Sequence, residues 1–308
     1  MATPPATLLM SPDHALIGSA DPERQAAFWV AMGFEVTERT TVDAALARLY
    51  GVGEGSQQIS LAVPGTSAGG LRIVATAQPE VAMGPWDRGP FAVDLYTRDM
   101  DRSLDAAVAA GATHRGRMVY EFGTMRLEEG KTTGPDGVRL VFIANSTRRP
   151  SVLDHDESRL HSEVHSIVNI VDSVDTFSRG WCDGAGLTVL GDAVISSPGL
   201  ADLMELPKII SARMGLYCDA AVTPIRYEAL EFVGLDATDT SALVAQWPLR
   251  PGVPLGVFVV SDFDGSLLAL DTNGFEMEGD ITVDGRRIAM GVDPCGIRFE
   301  VRSRTSSE

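Results

Sequence analysis

Strand-like stretches, each ending in an aspartate, recur four times along the chain: "HALIGSAD" (14–21), "AVDLYTRD" (92–99), "HSIVNIVD" (165–172) and "LGVFVVSD" (255–262). Their apolar runs and period of two predict strands. Behind each aspartate the spacing turns helical. A glycine follows twelve residues after the aspartate, at Gly33, Gly111, Gly184 and Gly274. An Asp N-cap, about three turns of helix and a glycine near the C-cap account for this order. In the third copy Gly186 is the alternative cap.

A second pattern closes each unit: "LRIVA" (71–75), "VRLVF" (138–142), "IRYEA" (225–229) and "IRFEV" (297–301). The order apolar, Arg, apolar, X again has period two and predicts a strand with one buried face. "GPDGV" (134–138) and "DPCGI" (293–297) read as the tight turns feeding two of these strands. Two further strands are expected between helix and closing strand, for example "LARLYG" with "QQISLAV" and "LTVLGD" with "ARMGLYC". The unit is therefore βαβββ, repeated four times. Linkers are expected at 148–162 and 236–252. The first divides the chain into an N-terminal pair of modules, 1–147, and a C-terminal pair, 163–308.

Composition narrows the partners. Lys and Arg number 25 against 42 Asp and Glu, a formal charge of −17. Such a chain has no basic excess to neutralise phosphates, so neither nucleic acid nor an anionic membrane surface is an expected partner. No apolar run is long enough to span a bilayer. "MATPPATLLMSPDH" lacks the basic and apolar regions of a secretory signal. Cys182, Cys218 and Cys295 are odd in number and far apart, which fits free thiols and a cytoplasmic location.

The repeat resembles the vicinal-oxygen-chelate superfamily, which includes glyoxalase, methylmalonyl-CoA epimerase, extradiol ring-cleaving dioxygenases and bleomycin- or fosfomycin-resistance proteins. "DHALIGSADPERQAAFWVAMGF" and "VHSIVNIVDSVDTFSRGW" look like that superfamily's first strand and helix, and "PCGIRFEV" like its last turn and strand. The resemblance covers roughly residues 11–303. It implies an α+β fold in which four βαβββ modules pair into two cupped mixed β-sheet half-barrels with helices outside.

The resemblance also implies where a divalent metal (Fe, Mn, Zn, Ni or Mg) would sit. Its ligands come from the start of each first strand and from position X of each closing strand. Here those positions are His14, Ala92, His165 and Leu255, and Val74, Val141, Glu228 and Glu300. Pairing modules three and four collects His165, Glu228 and Glu300 as metal ligands, with Glu228 or Glu300 as the catalytic base. Pairing one and two collects no such set, so His14 reads as structural and the N-terminal half as degenerate. Pairing one with four and two with three would leave each cup two ligands.

The expected chemistry is that of a metal-dependent isomerase, epimerase or lyase. It would act on a small, largely apolar carbonyl compound through an enolate-like intermediate. A ring-cleaving oxygenase would need a histidine where Leu255 stands. The remaining alternative is metal-free binding of a small molecule, with Arg226 and Arg298 neutralising the acids. "HSEVH" (161–165) could mimic a metal clamp. The stretch 191–215 reads as a lid or a helical packing insert. A homodimer is compatible with the resemblance.

Overall fold

The computed structural model describes residues 10–81, 83–122, 125–206, 208–219, 225–234 and 243–304. Module one consists of β1 (Met10–Ser19), α1 (Pro22–Ala31), β2 (Glu35–Thr41), α2 (Ala44–Tyr50), β3 (Gln57–Ala62) and β4 (Gly70–Ala75). Module two has β5 (Gly89–Thr97), α3 (Met100–Ala109), β6 (Thr113–Phe122), β7 (Met125–Thr133) and β8 (Arg139–Asn145). Module three has β9 (His161–Ile170), α4 (Val174–Arg179), β10 (Thr188–Ile195), α5 (Pro198–Leu203), β11 (Ser211–Cys218) and β12 (Arg226–Val233). Module four has β13 (Pro254–Val260), α6 (Phe263–Thr272), β14 (Glu276–Val283), β15 (Arg286–Val292) and β16 (Arg298–Ser303).

The predicted caps form in three modules. Asp21, Asp99 and Asp262 each accept a hydrogen bond from the backbone N–H three residues on. In module three Ser173, one residue beyond Asp172, does this for Thr176. Gly33, Gly111 and Gly274 leave their helices with positive φ, and in module three Gly186 does so instead of Gly184. Glycine tolerates that conformation because it lacks a Cβ.

One predicted strand is a helix. "LARLYG" lies in α2, capped by Asp43, whose Oδ1 accepts from Leu46 N at 2.8 Å. Leu46, Ala47, Leu49 and Tyr50 are the buried side, a 3.6-residue stripe rather than an alternation. The strand of that position is β2, "EVTERTT", whose residues are almost all exposed and so carry no apolar signal.

The strands form two eight-stranded sheets, β14-β15-β16-β13-β1-β4-β3-β2 and β10-β11-β12-β9-β5-β8-β7-β6. The fold is α+β, as expected, but the expected partners differ. Module one shares a sheet with module four through antiparallel β1 and β13, and module two with module three through β5 and β9. Each sheet thus draws on both halves of the chain. Alternation sets which face of a strand is buried, whereas four similar first-strand edges leave the choice of partner to tertiary packing.

Helices α1, α3, α4 and α6 pack outside the cups, in one apolar core that includes residues of both sheets. Trp181 is fully buried there and its ring meets Phe177, Tyr227, Phe258, Phe275 and Phe299, joining modules three and four. Helices α2 and α5 instead enter the cups. They are inserted at the same point of modules one and three, between the second and third strands. Of the expected second linker, 236–242 lie outside the described residues. Gln246 holds the rest against module four by accepting from Arg298 N and donating to Gly296 O. Among the described residues no helix is long and apolar enough to cross a membrane.

Candidate functional site

The three expected metal ligands do not converge. His165 on β9 and Glu228 on β12 belong to the second cup, and Glu300 on β16 to the first. The donors are also committed elsewhere. Glu300 is fully buried, and both its oxygens accept from Arg72 Nη2 at 2.8 Å. Arg302 Nε donates to Oε1, and the Tyr50 hydroxyl to Oε2 at 2.5 Å. Arg298, the expected neutraliser of Glu300, pairs with Glu278 instead. Among the described residues no group of three or more His, Cys, Asp and Glu is placed to hold a metal ion. The donor set His165, Glu228 and Glu300 therefore does not fit a shared cation. Leu255 packs in the apolar core of the first cup.

In the second cup a bulge disturbs β9. Asp94 pairs with Ser166 and Leu95 with Val164, so His165 is the extra residue. Beyond it Ile167 turns to the helix side, and Val168 and Ile170 to the cup. Plain alternation along β9 would put His165, Ile167 and Asn169 on one face, and the bulge breaks it. The His165 ring stacks on Tyr96 at 3.8 Å between centroids. Arg226 donates to its Nε2 at 3.2 Å, and Nδ1 is buried without a partner among the described residues. Burial, then the charge of Arg226, pushes its pKa well down, so the imidazole is neutral.

Three acids face this region. Burial raises the pKa of Asp94, Glu129 and Glu228. For Asp94 and Glu129 the charge of Glu228 adds to the rise, and Glu129 reaches about 7. Arg226 opposes the shift in all three. Helix α5 fills the cup with Leu200, Leu203 and Met204 packed near Met118. Glu205, just past the helix, pairs with buried Lys131 at 3.0 Å. The 191–215 stretch is thus a packing insert. "HSEVH" is structural too: His161 bonds to Ser103 Oγ and Met32 O, and Glu163 accepts from Val152 N.

The first cup is filled at one end and open at the other. Tyr50, Leu46 and Leu49 of α2 pack with Leu16, Val74 and Leu255. The other end is a cleft of about 820 Å³ that includes Asp13, His14, Ser60, Arg72, Arg286 and Arg302 in its lining. The β-ladder explains the grouping. His14 lies opposite Gly70 on β4, and Arg72, two residues on, opposite Leu16. On the other side His14 pairs with Val257, which pairs with Glu300. Charge is graded with depth: Arg72 is buried and Arg302 nearly so, whereas Glu38, Asp43 and Asp284 lie exposed at the rim.

Two features of this cleft carry chemistry. Arg72 Nε and Nη1 are buried and have no hydrogen-bond partner among the described residues. Glu300 and Tyr50 keep the guanidinium charged against the cost of burial. Unpaired buried donors are uncommon and costly. Second, His14 Nδ1 lies 2.6 Å from Asp13 Oδ2. Burial alone would raise the Asp13 pKa, but the His14 hydrogen bond and the charges of His14, Arg286 and Arg72 bring it below the usual carboxylate range. Sequence reasoning set His14 aside as structural and treated Arg72 as a repeat marker. The Asp13–His14 pairing depends on a β1 irregularity between Pro12 and His14, which no alternation rule reveals.

The fold with its two cups is shared with solved structures of low sequence identity. Glyoxalase I from Zea mays superposes with a TM-score of 0.67 at 12% identity, over 96% of this chain and 92% of that one. A proposed dioxygenase from Bacillus subtilis superposes with a TM-score of 0.64 at 10% identity, over 97% and 86%. No protein-family model and no curated protein matches the sequence.

Proposed function

We propose that the protein binds a small organic anion, such as a carboxylate, in the open cleft of the first cup, without a metal held by His165, Glu228 and Glu300. The observation that carries this reading is the gathering of three guanidinium groups, Arg72, Arg286 and Arg302, in the lining of one cleft. A carboxylate satisfies such donors with charge-assisted hydrogen bonds. Asp13 shares this lining, and Glu38, Asp43 and Asp284 lie exposed at its rim, so the positive charge belongs to the arginine cluster and not to the cleft as a whole. The cleft volume of about 820 Å³ suits a metabolite-sized ligand.

A metal-dependent isomerase remains the second reading, because His14 and Glu300 lie in one cup. It requires Glu300 to leave Arg72, Arg302 and Tyr50. Elemental analysis of purified protein separates the two readings, and oxygen uptake separates both from a dioxygenase.

Calorimetric titration with pyruvate, 2-oxobutanoate, phenylpyruvate and malonate, in the presence of chelator, tests the anion site. At least one probe should bind, and Arg286→Gln and Arg72→Gln should each weaken it about tenfold or more. Binding unchanged in both variants, or no binding by any probe, overturns the proposal.

A further inference from the structure

We infer that Asp13 and His14 form a proton-transfer pair, which makes the anion cleft a metal-independent site for enolising 2-oxo acids. The inference rests on the anion-site reading and adds a reaction to it. His14 lines the cleft with its side chain partly exposed, and its Nδ1 is held by Asp13 at 2.6 Å. A carboxylate on Nδ1 fixes the tautomer and leaves Nε2 as the basic nitrogen. None of the described residues hydrogen-bonds His14 Nε2. Arg72 stands one strand away and two residues along, on the same concave face. A general base and an anion-stabilising cation thus share one wall.

The step balances without any further reagent. With a 2-oxo acid bound through its carboxylate to the arginine cluster of the cleft, His14 Nε2 takes a proton from the carbon beside the carbonyl. The C–H electron pair becomes the C=C bond of an enolate, and the carbonyl π pair moves to oxygen. Guanidinium donors stabilise the charge that develops there. The proton then returns from Nε2 to carbon. Return to the opposite face inverts a stereocentre, and return to a different carbon shifts the double bond of an unsaturated substrate.

The test is deuterium incorporation at C3 of 2-oxobutanoate and phenylpyruvate in deuterium oxide with chelator, followed by proton NMR. Binding of the same probes is measured in parallel. Wild-type protein should catalyse exchange. His14→Gln should lower it by about 100-fold or more while affinity stays within a few-fold. Added imidazole should restore part of the rate to His14→Ala. Asp13→Asn should lower the rate by about tenfold with affinity unchanged, and Asp13→Glu should recover it, as expected of a positioning residue. A probe that binds with Arg72 dependence but exchanges equally in wild type and His14→Gln overturns this inference alone. Absence of binding by any probe overturns the anion site as well.

Discussion

In the first cup a first-strand histidine and a closing-strand glutamate, His14 and Glu300, come from different modules; in the second, His165 and Glu228 come from the same module. Both cups also receive a helix inserted at the same point of one module. Their outcomes differ. In the first, two arginines and a tyrosine surround a single acid, and α2 closes one end only. In the second, Asp94, Glu129 and Glu228 share Arg226, and α5 fills the apolar interior. The same pair of residue types therefore lies beside an open cleft with an arginine cluster and an acidic rim in one place, and in a filled, acid-rich interior in the other. The two cups differ in the guanidinium groups around the closing-strand glutamate and in the side chains that the inserted helix packs inside.

The sharpest way to break this comparison is to remove the glutamate from each cup. Glu300→Ala leaves buried Arg72 uncompensated and should cost about 3–5 kcal/mol of unfolding free energy. Glu228→Gln relieves acid crowding and should change stability by about 1 kcal/mol or less, or raise it, at pH 8. Urea denaturation of both variants measures the contrast. Equal losses would show that the cups do not differ as described.

A smaller effect follows from pH. The folded-state pKa of Glu129, about 7, lies above its usual 4.5. The folded protein therefore keeps a proton that the unfolded chain has lost between those values. The stability this group contributes is present below pH 4.5 and is lost as pH rises through about 7. Glu129→Gln should remove that slope, gaining at most about 3 kcal/mol over wild type at pH 8 and little at pH 4. Denaturation midpoints at the two pH values test this, and a parallel shift at both would refute it.

The smallest effect concerns the α5 plug. Glu205→Gln leaves Lys131, which is almost fully buried, without its ion pair. Because Glu205 is itself half exposed, the expected loss is about 1 kcal/mol. Amide exchange should quicken in α5 ahead of the strands, whereas the first-cup ladder stays protected. Uniform loosening of both sheets would mean that the plug is not a local element.

Much of the fold was legible because its signals are local. Asp21, Asp99 and Asp262 cap helices through bonds three residues long, and the four Arg-containing strands alternate visibly. The candidate site was less legible. His165 and Glu228 were correctly placed on a first and a closing strand, which the structure pairs, yet the bulge at His165 broke the alternation. Glu300 was correctly placed on a closing strand and wrongly joined to them, since its partners Arg72 and Tyr50 lie more than two hundred residues earlier. β2 was missed because an exposed polar strand offers no periodic apolar signal.

By itself the sequence determined the four first strands with their helices, three of the four aspartate caps and the four Arg-containing closing strands, because these depend on residues close together in the chain. Only the tertiary structure decided that module one meets four and two meets three, which cup stays open, and that Arg72 rather than Arg298 holds Glu300. Those outcomes depend on which of several equivalent strand edges join, and edge pairing is settled by packing between distant segments.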